Sequence, residues 1–115
     1  MEVRVKFVHV YATPDGESHW EHLPMEFIDG GRRTEMQRAS GVRFISRETG
    51  DFMDFHPVGS PQYVIYLDVK VEIGLSDGTS VINEPGDVMF VEDTIGKGHT
   101  SRTIEGGICA FVPLA

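Results

Sequence analysis

The stretch that decides the fold is Gly50–Leu67, with the sequence GDFMDFHPVGSPQYVIYL. It contains two extended segments separated by a proline- and glycine-containing turn. His56 ends the first segment and Gln62 opens the second. A distant stretch, Glu92–His99 with the sequence EDTIGKGH, also leads to a histidine. Three side chains that can bind a metal therefore stand at the ends of predicted strands.

The remainder of the chain also has the pattern of short strands. Polar and apolar residues alternate with a period of two, and turn signals such as Thr13–Gly16 and Ser76–Thr79 lie between the segments. Arg32–Ser40 is the one weak helical pattern, and we expect a loop or a single turn there. About ten short strands at this spacing predict an all-β antiparallel sandwich or barrel. The predicted strands are Val3–Tyr11, Trp20–Ile28, Val42–Arg47, Phe52–His56, Tyr63–Leu67, Val69–Leu75, Val81–Ile82, Val88–Val91, His99–Ile104 and Ile108–Pro113.

The two histidine-containing stretches resemble the two motifs of the cupin superfamily, which supply metal ligands to the inside of a small β-barrel. Gly50 and His56 match the first motif, and Gly86 and His99 match the second when two extra residues are allowed. The segments PGDVMFVEDTIGKGH and YATPDGESHWEHLP are similar to a branch of small single-domain, RmlC-like cupins with an E-D-T-x-G-K-G-H second motif. This resemblance covers nearly the whole chain. It implies one domain, residues 1–115, folded as an antiparallel jelly-roll β-barrel.

The sequence departs from the cupin pattern at positions that matter for chemistry. Val58 stands in place of a second histidine, Gln62 in place of a glutamate, and Val69 in place of a glycine. Members of the similar branch carry Trp-His and a pair of arginines before the glutamine, where this chain has Phe55–His56 and Gly59–Pro61. The resemblance therefore supplies no arginine pair for an anionic substrate.

His56, Gln62 and His99 are the predicted metal ligands. Neutral imidazole binds zinc, iron, nickel, manganese and copper ions, and an amide oxygen can complete the set. Because Gln62 is neutral, a bound divalent transition metal ion would keep more of its positive charge and act as a stronger Lewis acid. The alternative is a degenerate, metal-free site, since Val58 removes one ligand and Gln62 removes a charge.

Two further residues are predicted to be catalytic from strand parity. Side chains two residues apart point to the same face of a strand, so Asp54 shares a face with His56, and Tyr66 shares one with Gln62. Asp54 could add a carboxylate or a general base beside the metal. Tyr66 is either a polar group of the pocket or a core aromatic residue with a bonded hydroxyl.

Two functions follow as hypotheses. The resemblance implies a metal-dependent enzyme that acts on a small organic molecule by isomerisation, lyase-type elimination or dioxygenation. The alternative is a non-catalytic module that binds a small molecule in an apolar interior formed by Phe52, Val58, Val64 and Tyr66. Metal content distinguishes the two.

Composition excludes other classes of function. The chain has 115 residues and a formal net charge of −8, which argues against nucleic acid and anionic membranes as partners. Its basic residues are scattered, and only Arg32 and Arg33 are adjacent. Cys109 is the single cysteine and has apolar neighbours, so we expect a buried structural thiol. The amino end lacks the apolar core of a signal peptide, and a cytoplasmic location is expected.

A homodimer is also predicted. On the face opposite to the site, parity places Met53 and Phe55 on one strand, and Tyr63 and Ile65 on the next. A small sandwich cannot cover so many apolar side chains by itself. A second subunit is the predicted cover.

Overall fold

The structure, a computed structural model, describes residues 5–115. This part of the chain contains ten β-strands. No helix occurs within these residues, and 52% are in strands, so the all-β prediction is confirmed. The strands are β1 Phe7–Ala12, β2 Ser18–His22, β3 Arg43–Arg47, β4 Phe52–His56, β5 Gln62–Tyr66, β6 Lys70–Leu75, β7 Ser80–Asn83, β8 Val88–Val91, β9 His99–Glu105 and β10 Gly107–Pro113.

The strands form two sheets. One has six strands in the order β2-β1-β8-β5-β10-β3, and the other has four in the order β4-β9-β6-β7. Neighbouring strands are antiparallel except for β1 and β8, which run parallel. A parallel pair needs a long connection, and these two strands lie far apart in the chain. The prediction of purely antiparallel pairing is wrong at this pair.

One apolar core lies between the inward faces of the two sheets. Alternate residues face inward, as a period of two requires: Val8 and Val10 on β1 are fully buried, as are Val71 and Ile73 on β6. Cys109 belongs to this core and has no exposed surface, as predicted. The arrangement is that of two sheets packed face to face, which is compatible with a β-sandwich.

Strand boundaries agree closely with the sequence predictions for β4 and β8 and less well near the amino end. The predicted strand Trp20–Ile28 stops at His22, because Pro24 has no backbone N–H to continue the ladder. The first predicted strand is observed as β1, and its residues Val3 and Arg4 lie outside the described residues. Within residues 5–115, no helix is long and apolar enough to cross a membrane.

A long irregular segment, residues 23–42, connects β2 to β3, and we call it the strap. Because β2 and β3 are the two edge strands of the six-stranded sheet, the strap runs from one edge of that sheet to the other. It contains no strand apart from two isolated bridges, Ile28 to Arg33 and Ala39 to Leu114. The prediction of a loop or a single turn over Arg32–Ser40 is confirmed.

Candidate functional site

A small cavity of about 70 Å³ lies between the two sheets. Its lining includes all three predicted metal ligands, His56 from β4, Gln62 from β5 and His99 from β9. The other lining residues are Arg47, Met53, Val58, Val64, Tyr66, Val71, Ile73, Met89, Val91, Ser101 and Phe111. The fold therefore brings side chains from distant stretches of the sequence to one cavity.

The two histidines lie side by side. His56 and His99 are direct partners in the antiparallel pairing of β4 with β9, and their ring centroids are 4.9 Å apart. Directly opposed residues have the shortest distance between side chains in such a ladder. His99 is only 5% exposed, while His56 is partly exposed at the end of its strand. The two rings therefore extend from the buried interior to the partly exposed end of β4.

Both rings are held through the same nitrogen. Nδ1 of His99 donates to the carboxylate of Asp93 at 2.7 Å, and Nδ1 of His56 donates to the main-chain oxygen of Asp54 at 2.7 Å. A carbonyl oxygen can only accept, so the proton of the neutral His56 ring lies on Nδ1. Nε2 then carries the lone pair in each neutral ring. Metal-binding histidines in proteins are oriented in this way.

Asp93 is fully buried and makes contacts with both motifs. Its side chain holds His99, while its main-chain oxygen accepts a hydrogen bond from the N–H of Val58 at 3.2 Å. One carboxylate oxygen, Oδ1, has no hydrogen-bond partner among the described residues. In the sequence Glu92 and Asp93 are adjacent, and nothing there indicates which of the two side chains faces inward. The sequence signal for an acidic group near the site is this pair, which directly follows the apolar strand β8.

Two glycines let the loop after β8 approach the site. Gly98 has a φ of 74°, and a side chain there would collide with the backbone of His56 and Pro57. Gly96 has a φ of 76° and lies against the backbone of Gly16 in the same way. Only glycine adopts these conformations at low cost and leaves room for such contacts. The two glycines therefore permit a tight approach of this loop to His99.

Further bonds anchor this loop to the turn before β2. The hydroxyl of Ser18, itself fully buried, donates to the main-chain oxygen of Gly98 at 2.5 Å. Lys97 forms an ion pair with Glu17 at 2.8 Å. The hydrogen bond from Lys97 lowers the pKa of Glu17, and the same bond raises the pKa of Lys97. These contacts determine where β9, and therefore His99, begins.

The predicted shared face of Asp54 and His56 is wrong. A β-bulge lies between Met53 and His56 in the pairing of β4 with β9, so one extra residue separates the two inward positions. Met53 lines the cavity in the place that parity gave to Asp54. Asp54 is exposed, and its carboxylate accepts a hydrogen bond from the N–H of Phe55 at 2.8 Å. Asp54 thus does not line the cavity, although its main-chain oxygen positions His56.

Tyr66 lines the cavity as predicted, and it is 2% exposed. Its hydroxyl donates to the sulfur of Met89 at 3.9 Å. Burial raises the pKa of Tyr66 far above its ordinary value of 10.0. The residue therefore stays neutral near neutral pH, and its hydroxyl can donate or accept a hydrogen bond.

Arg47 is a cavity residue that sequence reasoning missed. It faces inward from β3, and its guanidinium lies 5.8 Å from the ring centroid of Phe111. Its buried Nε–H has no hydrogen-bond partner within residues 5–115. A buried donor without an acceptor is costly, so a ligand that accepts from Arg47 would be stabilised there. Arg43, on the same strand, is exposed.

Among the described residues, no group of three or more His, Cys, Asp or Glu side chains is arranged to hold a metal. A site on His56 and His99 would therefore take its third protein ligand from Gln62, whose amide oxygen lies outside those residue types. Water or substrate would fill the other positions.

No protein-family model matches the chain, and a search of curated proteins found no match.

Proposed function

We propose that this chain is a cupin whose cavity binds one divalent transition metal ion through His56, His99 and Gln62, and that it acts on a small anionic organic molecule. The strand order and the position of both motifs at one cavity support the jelly-roll form of the fold. Zinc, iron, nickel, manganese and copper are the candidate ions.

The observation that carries the proposal is the shared orientation of the two histidines. Each Nδ1 is bonded to an oxygen acceptor, and each ring lines the same cavity. This leaves two Nε2 lone pairs beside each other, with no competing proton on either neutral ring. The buried Asp93 supplies a carboxylate behind His99, and such a carboxylate orients a metal-binding imidazole.

The charges around the cavity favour an anionic ligand. Two neutral imidazoles and one neutral amide leave the charge of a divalent ion largely uncompensated, and the Arg47 guanidinium adds to it. A carboxylate could accept from the Arg47 Nε–H that has no other partner. A bound metal ion supplies Lewis acidity at such a site. Arg47 orients the ligand, and Tyr66 can donate one hydrogen bond.

The size of the cavity limits the ligand. Typical ligand sites have volumes of about 300–1,000 Å³, and this cavity has about 70 Å³. A metal ion with one or two further ligands, each the size of a water molecule, would fill this cavity. The substrate is therefore a molecule of few heavy atoms, or the reacting end of a larger one that enters beside the exposed side of His56. Isomerisation, elimination and dioxygenation are the reaction classes proposed from the cupin resemblance.

The alternative function, an apolar binding module, has less support. Phe52, one of its four proposed lining residues, does not line the cavity and instead contacts Arg102, whose guanidinium lies 4.8 Å from the ring centroid. The remaining space is too small for an apolar ligand of ordinary size.

Elemental analysis of protein purified without added metal or chelator tests the proposal. We expect about one transition metal ion per chain. Titration of the metal-loaded protein with acetate should show binding that Arg47→Gln weakens, because the substitution removes the charge and the Nε–H donor. Arg43→Gln, on the same strand but exposed, is the matched control. Binding of acetate that both variants leave unchanged would contradict the role of Arg47.

A further inference from the structure

The bulge in β4 determines which side chain stands at the mouth of the inner cavity. Of the described residues that line this cavity, Met53 alone is exposed, and the others are buried or half-buried. Met53 is 45% exposed, so its side chain reaches from the cavity wall to solvent. Without the bulge, strand parity would give Asp54 the face of His56. Bulges next to functional sites commonly re-aim a side chain in this way.

A methionine at this position suits an anionic ligand better than an aspartate would. A carboxylate at the mouth would repel a carboxylate that approaches Arg47, because like charges repel most strongly where water is scarce. The thioether of Met53 carries no charge. The Asp54 carboxylate lies exposed outside the cavity and accepts from the N–H of Phe55 at 2.8 Å. The bulge therefore removes a negative charge from the mouth and puts an apolar side chain in its place.

The mouth lies where an edge of one sheet faces an edge of the other. Met53 belongs to β4, an edge strand of the four-stranded sheet, and Arg47 belongs to β3, an edge strand of the six-stranded sheet. The two strands follow each other in the chain, and both residues line the cavity. A carboxylate bonded to Arg47 can therefore extend the rest of its molecule past Met53 to solvent.

The cavity wall near this opening is apolar. Val58, two residues after His56, lines the cavity and is half-buried, and so is Phe111 on β10. The methionine side chain is unbranched and flexible, so Met53 can adapt to apolar groups of different shapes. A CH₂ group that is removed completely from water increases affinity about fourfold. An apolar tail in the mouth would gain part of this amount for each CH₂ group.

We infer that the ligand of this cavity is a carboxylic acid with an apolar tail, and that Met53 is the residue that selects for the tail. The carboxylate accepts from the buried Arg47 Nε–H, which has no partner within residues 5–115. The tail lies along Met53 in the mouth. Only the acid end then has to enter a cavity of about 70 Å³. Because the acid end needs an anion-binding cavity, this inference rests on the proposed function.

Calorimetric titration of the zinc-loaded protein with straight-chain acids tests the role of the tail. Acetate, butanoate and hexanoate carry the same carboxylate and differ only in the length of the tail. We expect binding to tighten about twofold to threefold for each added CH₂ group, because the mouth is partly open to solvent. Hexanoate should therefore bind at least tenfold more tightly than acetate.

Variants of Met53 test which residue selects for the tail. Met53→Gln keeps the length of the side chain but makes it polar, so it should reduce the ratio of hexanoate affinity to acetate affinity at least threefold. Met53→Leu keeps the side chain apolar and should retain the ratio. Met36→Gln is the matched control, because Met36 lies on the strap and is 96% exposed. Circular dichroism checks that each variant folds.

The outcomes separate this inference from the proposed function. Equal affinity for acetate and hexanoate would overturn the inference alone. So would a preference for hexanoate that Met53→Gln leaves unchanged, because the tail would then bind elsewhere, such as the groove of about 750 Å³ that strap residues form with the outer face of the six-stranded sheet. Failure of all three acids to bind would contradict the anion-binding cavity itself, and the inference with it.

Discussion

The buried carboxylate of Asp93 holds the ring of His99 through a 2.7 Å hydrogen bond to Nδ1. Because the main-chain oxygen of the same residue accepts from Val58, one residue connects the segment after β4 to the start of β9. We therefore predict that Asp93→Asn weakens metal binding by about 10–100-fold. The amide can bond the ring but lacks the charge that makes His99 a better ligand.

Glu92→Gln is the control for this variant. Glu92 is adjacent in sequence, and its side chain bonds His9 on the outer face at 2.5 Å. Isothermal titration calorimetry with a divalent transition metal measures both. Equal losses of affinity in the two variants would show that loss of charge anywhere in the loop, and not the bond to His99, causes the effect.

Gly98→Ala should destabilise the fold and separate the two histidines. A non-glycine residue at positive φ costs about 1–3 kcal/mol, and the added methyl group would also collide with the backbone of His56. Gly78→Ala is the matched control, because Gly78 has a φ of 89° with open space around it. Urea denaturation should show a larger loss for Gly98→Ala than for Gly78→Ala. Equal losses would mean that the close approach at His56 is unimportant.

Gln62→Glu distinguishes the metal site from a metal-free cavity. With a metal bound, a carboxylate adds full-charge attraction where the amide offers only a dipole, so metal affinity rises and Lewis acidity falls. Without a metal, the same change places an unpaired carboxylate at the cavity wall and costs about 1–3 kcal/mol. Melting temperatures with and without divalent metal measure the difference. Destabilisation of the variant that no metal reverses would contradict the metal site.

The ion pair of Glu17 with Lys97 should contribute to stability in a pH-dependent way. Hydrogen bonding by Lys97 lowers the pKa of Glu17 below its ordinary value of 4.5. The contribution is therefore present above that value and is lost as the pH falls through the lowered pKa. Lys97→Met should reduce the melting temperature slightly at pH 6 and leave it unchanged at pH 2. A difference between the two proteins that stays constant from pH 6 to pH 2 would contradict this assignment.

The strands could be predicted from sequence because a period of two depends only on neighbouring residues. The position of Asp54 could not, since the bulge between Met53 and His56 depends on how β9 pairs with β4. The inward position of Arg47 and the bond of Asp93 to His99 could not be predicted for a related reason. Arg47 contacts Phe111, which is distant in sequence. Asp93 bonds His99, which follows it after a glycine-containing loop.

The residues of the predicted dimer face do not lie on one sheet, because Met53 and Phe55 are on β4, and Tyr63 and Ile65 are on β5. The prediction assumed that consecutive strands are neighbours in one sheet. The segment that contains Pro57 and Pro61 instead takes the chain from the four-stranded sheet to the six-stranded sheet. The common cavity of the three proposed ligands, His56, Gln62 and His99, was still predicted, because each of them lies at a strand end.

The most direct test of the central claim is calorimetric titration of the metal-free protein with zinc. The account predicts one site per chain whose affinity falls at least a hundredfold in His56→Ala and in His99→Ala, because each change removes one of two imidazole ligands. His22→Ala, an exposed histidine on β2, should bind as the unmodified protein does. Absence of zinc binding by the unmodified protein, or equal binding by all four proteins, would contradict the account.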